Sequence, residues 1–267
     1  MRLNAAVYTH VGLVRLNNED NFYLRGALRQ DLQQQTLQLQ HRGNDRMALY
    51  AVADGMGGEE NGEIASLVTI QNLQPAPVSQ ARDRSREGIL RANELICEEI
   101  NRSGGHRMGS TLAAVYLDEG QAVCCNLGDS RVYLFRDGVL RQLSRDHTQV
   151  QQMVRSGLLT EQEARTHKRR HVLTQSIGIF PEEMELEPFF TEPAALKPGD
   201  LFLLCSDGLT DMADDEEIAR MLSSSESPAE IARDLVQLAL DRGGRDNVTV
   251  ILIRVSRGYY LFPDRDT

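Results

Sequence analysis

A chain of 267 residues with 39 acidic against 29 basic side chains has a formal charge of −10 and no lysine or arginine block long enough to neutralise a run of phosphates, which argues against nucleic acid as a partner. Its 41% apolar content can fill the core of one compact domain, and no apolar run reaches the length of about eighteen residues that a membrane span needs. The four cysteines, Cys97, Cys124, Cys125 and Cys205, lie in apolar stretches without Cys-x-x-Cys spacing, and the first residues, Met1 to Ala5, lack a leader's apolar segment, so a monomeric cytoplasmic protein with reduced thiols is expected.

In chain order, the apolar run 5–8 predicts a strand. Residues 26–46 are polar and glutamine-rich, the composition of an exposed hairpin extension or a mobile loop, and no chemistry is assigned to them. Met47–Ala53 predicts the next strand. The stretches carrying Ile64, Leu67 and Val68, then Ile89, Ile96 and Ile100, have charged residues on their other sides, and each predicts a helix with the named residues as its apolar face. Runs 112–117 and 122–127 are separated by Asp118-Glu119-Gly120, and run 132–135 turns through Arg136-Asp137-Gly138 into 139–143; both patterns predict hairpins. Residues 147–180 then interrupt the strands with a mostly helical stretch bearing the basic run Lys168-Arg169-Arg170, read as a small appended subdomain. Leu201–Cys205 and 248–255 complete the strands. Between them Ser227-Pro228-Ala229-Glu230 forms a capping box with proline at the first helical position, followed by Ile231, Leu235, Leu238 and Ala239 on one face. Strands that cluster and helices that come in groups predict an α+β layered architecture.

The chemistry is carried by aspartates at strand edges: Asp54-Gly55, Gly128-Asp129, Asp207-Gly208 and Asp246-Asn247. A single Asp-Gly after a strand is ordinarily a turn. Here three of the four follow strongly apolar strands and the fourth precedes one, so a packed sheet could gather the carboxylates at one end. Crowded like charges need cations, and hard oxygen ligands suit Mg²⁺ or Mn²⁺, whereas zinc is disfavoured without a cysteine or histidine cluster at ligand spacing. Arg15, close in sequence to Glu19 and Asp20, adds a guanidinium suited to a phosphate dianion, or alternatively a surface ion pair.

With these residues in view the sequence resembles the bacterial type 2C metal-dependent protein serine/threonine phosphatases along nearly its whole length. The resemblance runs through Gly12-Leu13-Val14-Arg15, Asn18-Glu19-Asp20, Ala53-Asp54-Gly55-Met56-Gly57-Gly58, Gly62-Glu63-Ile64-Ala65-Ser66, Met108-Gly109-Ser110-Thr111, Gly128-Asp129-Ser130-Arg131, Ser206-Asp207-Gly208-Leu209 and Arg245-Asp246-Asn247. It implies a four-layer αββα sandwich of two antiparallel β-sheets flanked by helices, with residues 1–256 as the phosphatase domain, a flap at about 147–180 and a tail at 257–267. It also implies a centre of two or three Mn²⁺ or Mg²⁺ ions. Asp54 would bridge two of them, the Gly55 carbonyl would ligate one, Asp207 and Asp246 would complete the second, and Glu19 and Asp20 would act through bound waters. Asp129, with Asp207, matches the position of a third, weaker metal, and Arg15 would bind the substrate phosphate. The implied substrates are phosphorylated proteins, products of a serine/threonine kinase. Met56 stands where eukaryotic members place a proton-donating histidine, which leaves a metal-bound water, His147 or His167 as donors for the leaving group. A pseudophosphatase that only binds, and a phosphatase of small metabolites, are the alternatives; the first would show as a lost ligand.

Overall fold

The structure, a computed structural model, describes residues 1–43, 47–57, 61–118 and 120–257. Gly58 of the glycine motif, Glu119 of the first hairpin, residues 44–46 of the glutamine-rich stretch and residues 258–267 of the tail lie outside the described residues.

Two six-stranded antiparallel sheets face each other. One contains β1 (Arg2–His10), β3 (Thr36–Gly43), β9 (Arg131–Arg136), β10 (Val139–Gln142), β13 (Leu201–Cys205) and β14 (Val248–Ser256), in the order β10-β9-β13-β14-β1-β3. The other contains β2 (Asn21–Leu24), β4 (Met47–Ala53), β7 (Leu112–Asp118), β8 (Gln121–Leu127), β11 (Phe189–Phe190) and β12 (Ala194–Ala195), with β4 and β7 central. A minimal pair joins β5 (Gly55–Met56) to β6 (Gly109–Ser110). Helices α1 (Gly62–Gln71) and α2 (Val78–Arg102) cover the second sheet. Helices α5 (Asp207–Thr210), α6 (Asp215–Leu222) and α7 (Pro228–Asp241) cover the first. The short α3 (Gln149–Arg155) and α4 (Glu161–Thr166) form the stretch expected as an appendage. This is the expected αββα sandwich, and no helix among the described residues is long and apolar enough to cross a membrane.

Antiparallel strands usually alternate apolar and polar residues, yet these central strands are apolar throughout, because both of their faces are covered. Along β4, Ala48, Tyr50 and Val52 point into the core between the sheets while Leu49, Ala51 and Ala53 meet α1 and α2. Along β14, Ile251, Ile253 and Val255 point inward while Val248, Val250 and Leu252 meet the helices of the other layer. In β8 the adjacent Cys124 and Cys125 consequently belong to different cores. Each such large side chain taken from water contributes about 1.5–3 kcal/mol, so the three cores dominate the favourable side of folding.

The predicted strands and hairpins are present, and Asp137 and Gly138 take φ of 54° and 81° in the β9–β10 turn, as a type I′ hairpin requires. The Ser227 capping box forms, with Glu230 Oε2 accepting from the Ser227 amide. Two expectations need correction. The buried face of α1 is Gly62, Ala65, Ser66, Thr69 and Ile70, and the larger Ile64, Leu67 and Val68 are only half-buried. Close approach to β5 and β6 favours small side chains there, and Ser66 Oγ donates to the Glu19 carbonyl at 2.5 Å. The glutamine-rich stretch is also more than a loop: Thr36–Gly43 is an edge strand on β1, with alternate residues half-buried.

Within that same stretch Arg29 is 1% exposed. Its Nε donates to the Asp20 carbonyl at 3.0 Å, Nη2 donates to the carbonyls of Asn18 and Asp20, and Nη1 reaches those of Leu32 and Gln34 at 3.2 Å. The guanidinium thus sets the backbone on either side of Glu19. Arg29→Ala strands buried carbonyls without donors and should cost about 3 kcal/mol or more, measured by denaturant titration. An unchanged midpoint would remove Arg29 from this role.

Candidate metal centre

Strand register brings the acidic residues to one end of the sandwich. Asn21 pairs with Ala53, which sets Asp20 beside Asp54. Cys205 pairs with Val250 and Val248 with His10, which sets Asp207 and Asp246 together at the corresponding end of the other sheet. Asp129 follows β8. A cleft of about 490 Å³ opens there, lined by Arg15, Glu19, Asp54, Gly55, Met56, Asp129, His171, Asp207 and Asp246 among others.

The residues after Asp54 and Asp207 are glycines because backbones cross at contact distance there. A Cβ on Gly55 would lie 2.0 Å from the Gly62 carbonyl oxygen, and one on Gly208 would lie 1.9 Å from that of Asn247. Asn247 clamps the opposite wall: Nδ2 donates to the carbonyls of Val11 and Asn17 at 2.8 and 2.9 Å, and Oδ1 accepts from the Glu19 amide at 2.8 Å. Asp54 is locked to Thr111 in both directions, its amide on Thr111 Oγ1 at 3.0 Å and its carbonyl taking the Thr111 amide at 2.9 Å.

Asp20 lies behind the cleft, fully buried. Its Oδ2 accepts from Ser206 Oγ and Thr249 Oγ1, both at 2.7 Å, while Oδ1 has no hydrogen-bond partner. Burial pushes the Asp20 carboxyl up to about 7, against the two hydroxyls that favour its charge. Glu19 is also raised to about 7, first by burial and then by Glu63. Asp54 and Asp129 are raised well above the usual carboxylate range, by burial and then by neighbouring aspartates. A site that removes carboxylates from water, sets them against one another and leaves a buried oxygen without a donor fits a hard divalent cation. The all-oxygen set of Asp54, the Gly55 carbonyl, Asp207 and Asp246 could hold such ions, with Glu19 also on the cleft wall and Asp20 behind it.

Arg15 Nη2 donates to Asp246 Oδ2 at 2.8 Å, with about half of its side chain exposed at the cleft mouth. The two histidines considered as proton donors are turned to other tasks. His147 Nδ1 accepts from the Gly128 amide at 3.1 Å and His167 Nδ1 from the Arg169 amide at 3.2 Å, and neither lines the cleft. His171, Arg170 and Asp211 do line it and were not singled out as site residues. The basic run was the only signal, and the sequence does not say that Arg170 and the following His171 turn back towards Asp211 at the end of α5. A second cleft of about 680 Å³ adjoins the first and runs between α3, α4 and α6; Asp129, His171 and Asp207 line both.

The family profile described as protein phosphatase 2C matches residues 23–241. The chain belongs to the protein phosphatase 2C family. The phosphatase 2C chain is 33% identical over 263 residues to protein phosphatase PhpP of Streptococcus pneumoniae, covering 95% of this chain and 98% of that one. The structure of the S. agalactiae serine/threonine phosphatase superposes with a TM-score of 0.81 at 31% identity, covering 95% of this chain and 100% of that one. The catalytic domain of serine/threonine protein phosphatase PstP, solved with two manganese ions, superposes with a TM-score of 0.76 at 32% identity, covering 96% and 100%. The four-layer architecture is therefore that of this family.

The carboxyl shifts set the pH dependence of the metal-free protein. A carboxyl whose folded pKa is raised adds stability below its unfolded value near 4, and that stability is lost as pH rises through about 7. In chelator, the melting temperature of this phosphatase 2C chain should fall between about pH 5 and about pH 8, and Mn²⁺ should restore it most at the higher pH. A melting temperature that rises across that interval in chelator contradicts the crowded-carboxylate description.

Proposed function

We propose that this chain is a metal-dependent protein serine/threonine phosphatase that hydrolyses phosphoserine and phosphothreonine monoesters by attack of water. The observation that carries the reading is the gathering of Asp54, Asp207, Asp246 and Asp129 from both sheets at the mouth of one cleft, with the unpartnered Asp20 Oδ1 behind them. Asp54, the Gly55 carbonyl, Asp207 and Asp246 would hold two divalent cations, Glu19 and Asp20 would support them through waters, and Asp129 with Asp207 would serve a third. When bound, Mn²⁺ or Mg²⁺ ions lower the pKa of a shared water and offset charge on the phosphoryl oxygens.

The protein's own groups do the rest. Asp54 is fixed on both sides of its Cα by Thr111, which holds the main chain from which its carboxylate projects. Arg15 offers a permanently charged fork at the cleft mouth, where it can take a phosphate oxygen pair. Met56 lines the cleft without a proton to give. Residues 1–256 make up the catalytic domain and residues 147–180 its flap, with the tail beyond. Phosphoproteins made by a serine/threonine kinase are the substrates. Net charge −10 and buried free cysteines support a cytoplasmic monomer that works on proteins and not on nucleic acid or membranes.

Phosphopeptide turnover should vanish in excess chelator and return with Mn²⁺, and Asp54→Asn should lower kcat about a thousandfold while the far-UV spectrum stays native. Full activity in chelator, or wild-type kcat in Asp54→Asn, sinks the proposal, as would faster turnover of small phosphorylated metabolites than of phosphopeptides.

Arg15→Ala should lower kcat/KM about a hundredfold without weakening metal binding by calorimetry. Lost metal affinity would place Arg15 in the scaffold of the centre instead.

A further inference from the structure

Leu13, Val14 and Leu16 stand around Arg15 with 64%, 64% and 97% of their surface exposed. Among the described residues the other exposed large apolar side chains are scattered singly along the chain. Single exposed apolar residues are ordinary on a protein surface, whereas a group of them marks a surface that binds something.

The loop that carries the group is held at several points. Asn247 Nδ2 donates to the carbonyls of Val11 and Asn17 at its two ends, the Leu13 amide donates to the Gly244 carbonyl at 2.7 Å, and Arg15 Nη2 donates to Asp246 Oδ2. Gly12, at φ 85°, lies so close to Asp246 that a Cβ would come within 2.3 Å of its carbonyl oxygen. Leu13 rests against Gly244, where an added Cβ would stand 3.0 Å from its Cγ. An apolar surface presented on a pinned main chain binds without first losing the entropy of a loose loop.

Position identifies the occupant. Arg15 lines the cleft and is the group assigned to the substrate phosphate, with Val14 and Leu16 as its immediate neighbours. A residue seated with its phosphate at Arg15 carries its own sequence neighbours past this loop, since successive residues of an extended segment are about 3.3 Å apart. The same wall carries the carboxylates of Glu19 and Asp246, which disfavour an acidic neighbour, whereas an apolar one gains by covering exposed apolar surface.

We propose that Val14 and Leu16 form an apolar shelf at the cleft mouth that takes a large apolar side chain flanking the phosphoserine or phosphothreonine of the substrate. The inference rests on the phosphatase reading and on Arg15 as the partner of the phosphate. The shelf lies outside the reacting centre, so it holds substrate and transition state equally and acts on KM rather than on kcat.

Two phosphoserine peptides of equal charge, with leucine or with serine on either side of the phosphoserine, should differ about tenfold in KM with the full chain in Mn²⁺, the leucine peptide having the lower value at similar kcat. With Val14→Ser and Leu16→Ser together the difference should shrink to about twofold or less, while turnover of p-nitrophenyl phosphate, which has no flanking residue, stays at the wild-type rate. Leu16→Ser alone should shift KM in the same direction, and a melting curve in Mn²⁺ checks that each variant is folded. Equal KM for the two peptides in wild type, or a preference that survives the double substitution, overturns the inference and leaves the phosphatase reading intact. So does a dimer in sedimentation that the double substitution dissociates, since the shelf would then belong to a second copy. Folded variants that lose turnover of the aryl phosphate overturn it as well, by placing these side chains in the centre itself. A wild-type chain with no Mn²⁺-dependent turnover of either peptide or the aryl phosphate overturns both readings.

Discussion

Mutual repulsion among carboxylates taken out of water is the constraint on which the rest of this structure depends. Bringing Asp20, Asp54, Asp129 and Asp207 to one end of a sandwich costs several kcal/mol for each ion before any compensating charge arrives. Local compensation among the described residues is partial: the Ser206 and Thr249 hydroxyls donate to Asp20, Arg15 pairs with Asp246, and Arg131 favours the charged form of Asp129. The remaining offset comes from a distance, from three hydrophobic cores that hold the sheets and helices together regardless of what happens at the cleft. A framework with apolar residues on both faces of its central strands has that capacity, and a half-solvated sheet would not.

The same constraint accounts for how the backbone is pinned. Charges that repel would drift apart unless their main chains were fixed by something other than the carboxylates. Asn247 ties the loop before β2 to the start of β14, and Arg29 ties the other side of that loop to the edge of the sheet. Glycines at 55 and 208 let the crossing chains touch, so the acidic side chains project from rigid corners rather than from flexible turns. The Asn247 and glycine contacts are neutral, so their strength does not change when the charge in the cleft is neutralised.

Much of this was legible in the sequence, for identifiable reasons. Strands such as β4 and β14 announce themselves because both faces are apolar, and the hairpin at Asp137-Gly138 because only certain residues accept positive φ. The acidic residues were readable as a group because each sits at the edge of such a strand. What escaped has a common cause, in that hydropathy does not report close approach. The buried face of α1 is mostly small, Gly62, Ala65, Ser66 and Thr69 beside Ile70, so the larger Ile64 and Leu67 drew the prediction to the wrong side. Arg29 is charged and stands in a polar stretch, yet it is among the most buried residues, because its donors satisfy carbonyls no pattern advertises. His171 and Asp211 are far apart in sequence and meet only because the flap folds back. Strands of two residues, β11 and β12, are too short to leave a period.

The placement of sulfur has a consequence for chemistry in the cell. Cys124 and Cys125 are neighbours in sequence yet lie in different cores, so they cannot join to each other while β8 persists, and Cys205 lies in the remaining core. Burial pushes the thiols of Cys124 and Cys205 up to about 12, which leaves almost no thiolate to react. Oxidants and alkylating agents that silence hydrolases with a cysteine nucleophile find almost no thiolate at Cys124 or Cys205 in the folded chain. Thiol labelling therefore becomes a clock for opening of the sandwich itself, and peroxide stress that halts cysteine-based dephosphorylation would leave this centre working.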